Sequence, residues 1–208
     1  GQAARWFSKE ARAYGVDPRY IVVTGDSAGG HLALMAGMTP ASAGFGPAAR
    51  VRAVVDFFGI TDVNDQLQGA NLRSYTVQWV PEQAGRAELA RRVSPLTHVR
   101  KSVPRILTVH GTADPSVPYA HATRLTDGLN RAGASAALIT VSGGEHGFPK
   151  TQTDEIYDRF VWPFLRSVGF AIGKGRMRTA EPGAEVEGVF SCTPARRCGF
   201  LRGPRGDL

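Results

Sequence analysis

The chain has 208 residues, 42% of them hydrophobic, enough to bury one sizeable core and short for two independent domains. Its net charge is +7, but seven cations and four acids from Ala171 onward carry +3 of it. The remainder is dispersed among acids with no basic run or interleaved aromatics, so the charge does not indicate a nucleic-acid partner. No apolar run reaches the length of a membrane span, and GQAARWFSKEARAYGVDPRY at the start lacks the apolar core of a signal peptide, which leaves the compartment unknown.

In chain order, Ala3, Trp6, Phe7, Ala11 and Tyr14 recur at helical spacing, and Gly15 is a stop signal. After the turn at Asp17-Pro18, Ile21-Val22-Val23 is short and β-branched, as a strand buried on both faces would be. A helix is predicted from Ala28, then a strand at Ala53–Val55, a long loop, and a helix from Glu82 to Arg92. A strand at Ile106–Val109 leads to a helix from Tyr119 to Ala132. A strand at Ala137–Val141 precedes a final helix from about Thr153 to Val168, with an apolar stripe at Ile156, Phe160, Phe164 and Val168; Pro163 should kink or split this helix. This alternation predicts an α/β fold: a mostly parallel sheet with helices on both faces.

After Phe170 the texture turns to Gly, Arg, Pro and Glu without periodicity, so 171–208 reads as a disordered tail. Both cysteines, Cys192 and Cys198, fall there in surroundings too poor in apolar residues to need a staple or to hold a metal.

The stretch YIVVTGDSAGGHLAL, residues 20–34, carries the first chemical signal. A strand ending in Gly-x-Ser-x-Gly and passing straight into a helix makes a tight, strained turn with Ser27 at its apex. A side chain at position 25 or 29 is expected to collide with the neighbouring strand and helix. The turn aims the Ser27 hydroxyl at the helix N-terminus, where the amide of Ala28 can meet a developing oxyanion. A capping serine in a Gly-rich turn would look the same in isolation. A serine nucleophile also needs a histidine base and an acid to orient it.

Of the five histidines, His31 should pack beside the turn, His98 lies in LTHVRKS, His110 closes a strand, and His121 is expected on the helix face away from Leu125 and Leu129. His146, in the loop SGGEHGF between the last strand and the last helix, answers no packing pattern. Catalytic groups of a parallel sheet gather at the carboxyl ends of its strands. For the acid, Asp114 in VHGTADPSVP is favoured over Asp62 in FFGITDV, because Pro115 and Pro118 stiffen its loop. Ser27, Asp114 and His146 thus follow one another after three strands.

At these residues the chain resembles the α/β-hydrolase superfamily, and within it the bacterial esterase/lipase branch that includes acetyl-esterase and feruloyl-esterase-like enzymes. RYIVVTGDSAGGHLALMAG looks like that branch's serine turn, ILTVHGTADPSVPYAHATRL like its acid loop and VSGGEHGF like its histidine loop. AVVDFFGITDV and RRVSPLTHV extend the likeness over most of residues 3–170. The resemblance implies hydrolysis of small or carbohydrate-linked acyl esters through an acyl-enzyme, with Ser27, Asp114 and His146 as triad, the amide of Ala28 in the oxyanion hole, and no metal or organic cofactor. Tyr75 and Trp79, in the loop after Asp62, are candidates to line the substrate site.

Members of this branch carry further strands and an H-G-G motif upstream of the serine turn. Residues 1–170 are therefore expected to form the C-terminal part of such a domain. One edge of the first strand would stay open, prone to self-association. A prolyl-oligopeptidase-type peptidase and a non-catalytic truncated hydrolase fold stay open as alternatives.

Overall fold

The computed structural model describes residues 2–171 and 186–189. Five strands form one sheet in the order β1-β2-β3-β4-β5: Val22–Asp26, Ala53–Phe57, Arg105–Gly111, Ala136–Val141 and Val186–Val189. The first four are parallel, and β5 runs antiparallel to β4. β1 pairs only with β2 among the described residues, so the strand that carries the serine turn has one unpaired edge.

Register sorts the core into two layers. Val54 lies beside Ile106 and Val55 beside Leu107, and alternation along the strands sends the two pairs to opposite faces. On one face Val54 and Ile106 pack with Leu34 and Met38 of α2 (Ala28–Met38) and with Leu125 and Leu129 of α5 (Ala120–Arg131). On the other, Val55, Leu107, Ile139 and Val141 pack with Ile156, Phe160, Val161 and Leu165. The long excursion between β2 and β3 holds two short helices, α3 (Ser74–Trp79) and α4 (Arg86–Arg92), over a third cluster that includes Ile60, Val63, Val80 and Val117.

Several elements depart from the sequence reading. The first helix, α1 (Gln2–Glu10), tightens to a 3₁₀ turn at Ala11–Tyr14 before Gly15 ends it at φ 70°. Its expected apolar face is only partly used: Ala11 is buried, whereas Trp6 and Tyr14 are exposed and meet each other at 6.1 Å. The last helix is split, as Pro163 requires. α6 (Lys150–Ile156) passes through a π turn at Tyr157–Val161 into α7 (Trp162–Ser167). Pro163 then falls in a first turn, where the missing N–H costs nothing. Of the expected stripe Ile156, Phe160 and Val168 are buried, while across the wide turn Val161 joins them and Leu165 is buried in place of Phe164. The expected tail, with Cys192 and Cys198, lies mostly outside the described residues; four residues of it, Val186–Val189, are described as β5 where no regular structure was expected.

Candidate active site

The strands' hydrogen-bond ladder runs on past their carboxyl ends and holds the loops in place. Ser27 N–H donates to Phe57 O at 2.9 Å, Phe58 N–H to Val109 O at 2.8 Å, Thr112 N–H to Val141 O at 3.0 Å and Ala113 N–H to Gly144 O at 2.9 Å. Each loop is thereby fixed to its neighbour rather than to its own strand alone. The amide of Gly143 also donates to Thr112 Oγ1 at 2.9 Å, joining the loop of His146 to that of Asp114.

Ser27 sits between β1 and α2 with φ 51° and ψ −116°, a strained conformation for a residue with a side chain. The turn closes because Gly25 approaches the backbone of Gly29; a Cβ at Gly25 would lie 2.4 Å from Gly29 C. The expected crowding at Gly29 itself is absent, since a Cβ there would meet only Asp26 Oδ1 at 3.8 Å. The tight position is Gly30, where a Cβ would meet Asp56 Oδ1 at 2.4 Å, because α2 lies directly over that carboxylate.

The structure brings Ser27, His146 and Asp114 together. Ser27 Oγ is 2.8 Å from His146 Nε2, and His146 Nδ1 is 2.8 Å from Asp114 Oδ2. Asp114 Oδ1 accepts the amides of Ser116 at 2.8 Å and Val117 at 2.9 Å. Its side chain is inaccessible to solvent, while that of His146 is 22% exposed. Desolvation pushes the Asp114 carboxyl up, but the donors from His110, His146, Val117 and Ser116 outweigh it and hold the group at about 2. Ala28, the first residue of α2, is exposed beside the serine.

The other candidates lie elsewhere. Asp62 pairs with Arg124 Nη1 at 3.0 Å and accepts the amide of Asp65, away from His146. His121 is fully buried rather than turned from the core: Nδ1 accepts the amide of Thr61 at 3.1 Å and Nε2 faces Asp65 Oδ2 at 3.0 Å, because α5 packs on the loop after β2. Burial lowers the pKa of both His121 and His31, and His31 Nε2 meets Val93 O at 2.7 Å. His98 Nε2 meets Arg92 O at 2.8 Å. Tyr75 donates its hydroxyl to Ser116 O at 3.1 Å, and Trp79 packs edge-on against His31 at 5.1 Å.

Three residues of the site were not singled out for it from sequence. Phe58, with φ 40°, sets its ring 4.8 Å from the His146 ring and 5.4 Å from that of Phe148. Asp56, fully buried, accepts the amide of Gly59 at 3.0 Å and the hydroxyl of Thr108 at 3.1 Å, holding the loop that carries Phe58. Burial pushes its carboxyl up to about 6, against the opposing effects of His110, Thr108 and Gly59. His110 lies 3.2 Å from Asp114 Oδ2. The spacing of His110 and Asp114 across a strand end was the one sequence signal for it. Among the described residues no cluster of three or more His, Cys, Asp or Glu could hold a metal ion, and no helix is long and apolar enough to cross a membrane.

A parallel sheet with a serine turn after β1, a buried acid after β3 and a histidine after β4 defines the α/β-hydrolase class, and solved esterase structures share its fold. The thermophilic esterase Est2 of Thermogutta terrifontis, with propionate bound, matches at TM-score 0.67 and 26% identity over 83% of this chain and 65% of that one. A truncated carbohydrate esterase from gut microbiota matches at TM-score 0.60 and 28% identity over 80% of this chain and 65% of that one.

Within this class the chain belongs to the BD-FAE family, whose model matches residues 1–129. The probable carboxylic ester hydrolase LipM of Mycobacterium tuberculosis is 33% identical over 62% of this chain and 32% of LipM. Esterase LipQ of the same organism is 28% identical over 73% of this chain and 38% of LipQ. The chain spans less than two fifths of the length of these curated relatives.

Proposed function

We propose that the chain carries the catalytic machinery of a serine carboxylesterase acting on small acyl esters, including acyl groups linked to carbohydrate. The observation that carries this reading is the continuous run from Ser27 Oγ through His146 to Asp114, with 2.8 Å at each hydrogen bond. The family, the esterase names of its relatives, and the propionate bound to the Thermogutta enzyme support the same reaction class. The carbohydrate esterase among the structural neighbours supports the carbohydrate-linked substrates.

In this reading Ser27 Oγ attacks the ester carbonyl while its proton passes to His146 Nε2. Asp114 stays a carboxylate, accepts the His146 Nδ1–H and stabilises the imidazolium. The carbonyl oxygen takes up negative charge facing the amide of Ala28 at the start of α2. Collapse of the tetrahedral intermediate expels the alcohol, which takes the proton from His146 and leaves an acyl-Ser27. Water then attacks with His146 as base, and the acid leaves Ser27 as it was. Phe58 packs against the imidazole, backed in turn by Phe148, and restricts its motion.

Trp79 is assigned to substrate binding from its edge-on contact with His31, one turn beyond Ser27 on α2; the cavity of about 240 Å³ that it lines with His31, Leu32 and Met35 does not reach Ser27, Asp114 or His146. Tyr75 is assigned to the rim of the acid loop, where its hydroxyl is held by Ser116 O. The test is hydrolysis of p-nitrophenyl acetate, butyrate and octanoate by the chain and by its Ser27→Ala variant. Ser27-dependent turnover that falls with acyl length supports the reading. Turnover retained by Ser27→Ala contradicts it.

A further inference from the structure

His110 is the last but one residue of β3, with its side chain wholly buried. Nε2 lies 2.9 Å from Val117 O and 3.2 Å from Asp114 Oδ2, so one nitrogen faces two acceptors and must carry the hydrogen. Its N–H donates to the carbonyl of Val117 and lies close against the carboxylate of Asp114. Nδ1 is the buried side-chain atom that finds no hydrogen-bond partner among the described residues. The rings of Phe58 at 6.4 Å and Tyr119 at 5.8 Å flank the imidazole.

A buried acceptor without a protein partner costs about 1–3 kcal/mol, and an apolar side chain would fill the same space without that cost. Packing at a strand end therefore does not explain an imidazole here; the Nε2 hydrogen does. We infer that His110 is a positioning residue of the site: it holds Asp114 Oδ2 where the remaining lone pairs face His146 Nδ1. The inference rests on the triad reading above. Two amides fix Asp114 Oδ1, and His110 fixes the other oxygen, so the carboxylate cannot turn away from His146. The two histidines on this carboxylate have different tasks. His146 takes and returns the serine proton, whereas His110 holds the carboxylate in place.

The test compares His110→Leu, which fills the pocket without a donor, with His110→Gln, whose amide N–H reaches the place of Nε2. Two quantities are read: steady-state kinetics on p-nitrophenyl acetate, and the far-downfield proton resonance of His146 Nδ1–H, assigned by its loss in His146→Gln. His110→Leu is expected to lower kcat by about ten- to hundredfold with KM little changed, and to shift or broaden that resonance. His110→Gln is expected to keep both near wild type.

An unchanged kcat and resonance in His110→Leu would overturn the inference, as would a His110→Gln variant as impaired as His110→Leu. Should His110→Leu fail to fold, His110→Gln decides alone: retained turnover and resonance support the inference, and loss of both overturns it. A wild-type chain with neither Ser27-dependent turnover nor the downfield resonance would instead overturn the triad reading and the inference with it.

Discussion

The serine turn and the acid loop are built on opposite plans. Asp114 is sealed: its side chain is inaccessible, two amides and two imidazoles surround its oxygens, and its strand is paired on both sides. Ser27 is strained, its neighbour Ala28 is exposed, and its strand has one unpaired edge among the described residues. In the proposed reading, orientation is fixed from the acid end, through a carboxylate held on both oxygens, while the serine end is left open for a substrate to reach. The strain at Ser27, of order 1–3 kcal/mol, is held by the hydrogen bond from its amide to Phe57 O and by the close approach of Gly25 to Gly29.

The sealed end should give the largest effect when broken. Asp114→Asn is expected to lower kcat by about four orders of magnitude, because the amide favours the wrong imidazole tautomer. Asp62→Asn, whose carboxylate is engaged by Arg124, should change kcat by no more than about threefold. Steady-state kinetics on the two variants make the comparison.

Next in size is the joint between the acid and histidine loops. A Cβ at Gly111 would lie 2.1 Å from Gly144 O, so Gly111→Ala must push the histidine loop off β3. Denaturant unfolding is expected to show a loss of about 3 kcal/mol, together with a fall in turnover.

The buried carboxylate beneath the serine turn gives a pH-dependent effect. Asp56 is raised to about 6 from 3.8, so between those values the folded chain holds a proton that the unfolded chain has lost. Its contribution to stability is therefore full below the unfolded value and is lost as pH rises through about 6. Asp56→Asn keeps an acceptor for Gly59 N–H without the charge. It should gain up to about 3 kcal/mol relative to wild type on going from pH 4 to pH 8, read by denaturant unfolding at the two values.

The open end should give the smallest effect. Trp79→Ala removes the indole that packs on His31 beside the serine turn and is expected to raise KM for p-nitrophenyl butyrate by about two- to fivefold with kcat little changed.

Much of this arrangement was legible in the sequence because it is local. The β-branched runs before Gly25, Asp56 and His110, and the turn residues after them, are enough to find the strands and the loops at their carboxyl ends. What was not legible depends on neighbours brought together by the fold. The crowding fell on Gly30 rather than Gly29 because Asp56, on the adjacent strand, sits under α2. In the last helix Leu165 took the place of Phe164 because a π turn absorbed Pro163. His121 was read as facing out because nothing in its own helix shows that the loop at Thr61 and Asp65 covers it. His110 read as an ordinary strand-end residue because its partner, Asp114, is shared with a histidine 36 residues further on.

The most direct test of the central claim is to treat the chain with a fluorophosphonate and map the adduct by peptide mass spectrometry, in wild type and in Asp114→Asn. The account predicts a single adduct on the peptide containing Ser27, formed far more slowly when Asp114 is replaced. An adduct on another serine, or a folded wild-type chain that takes up no label, would contradict it.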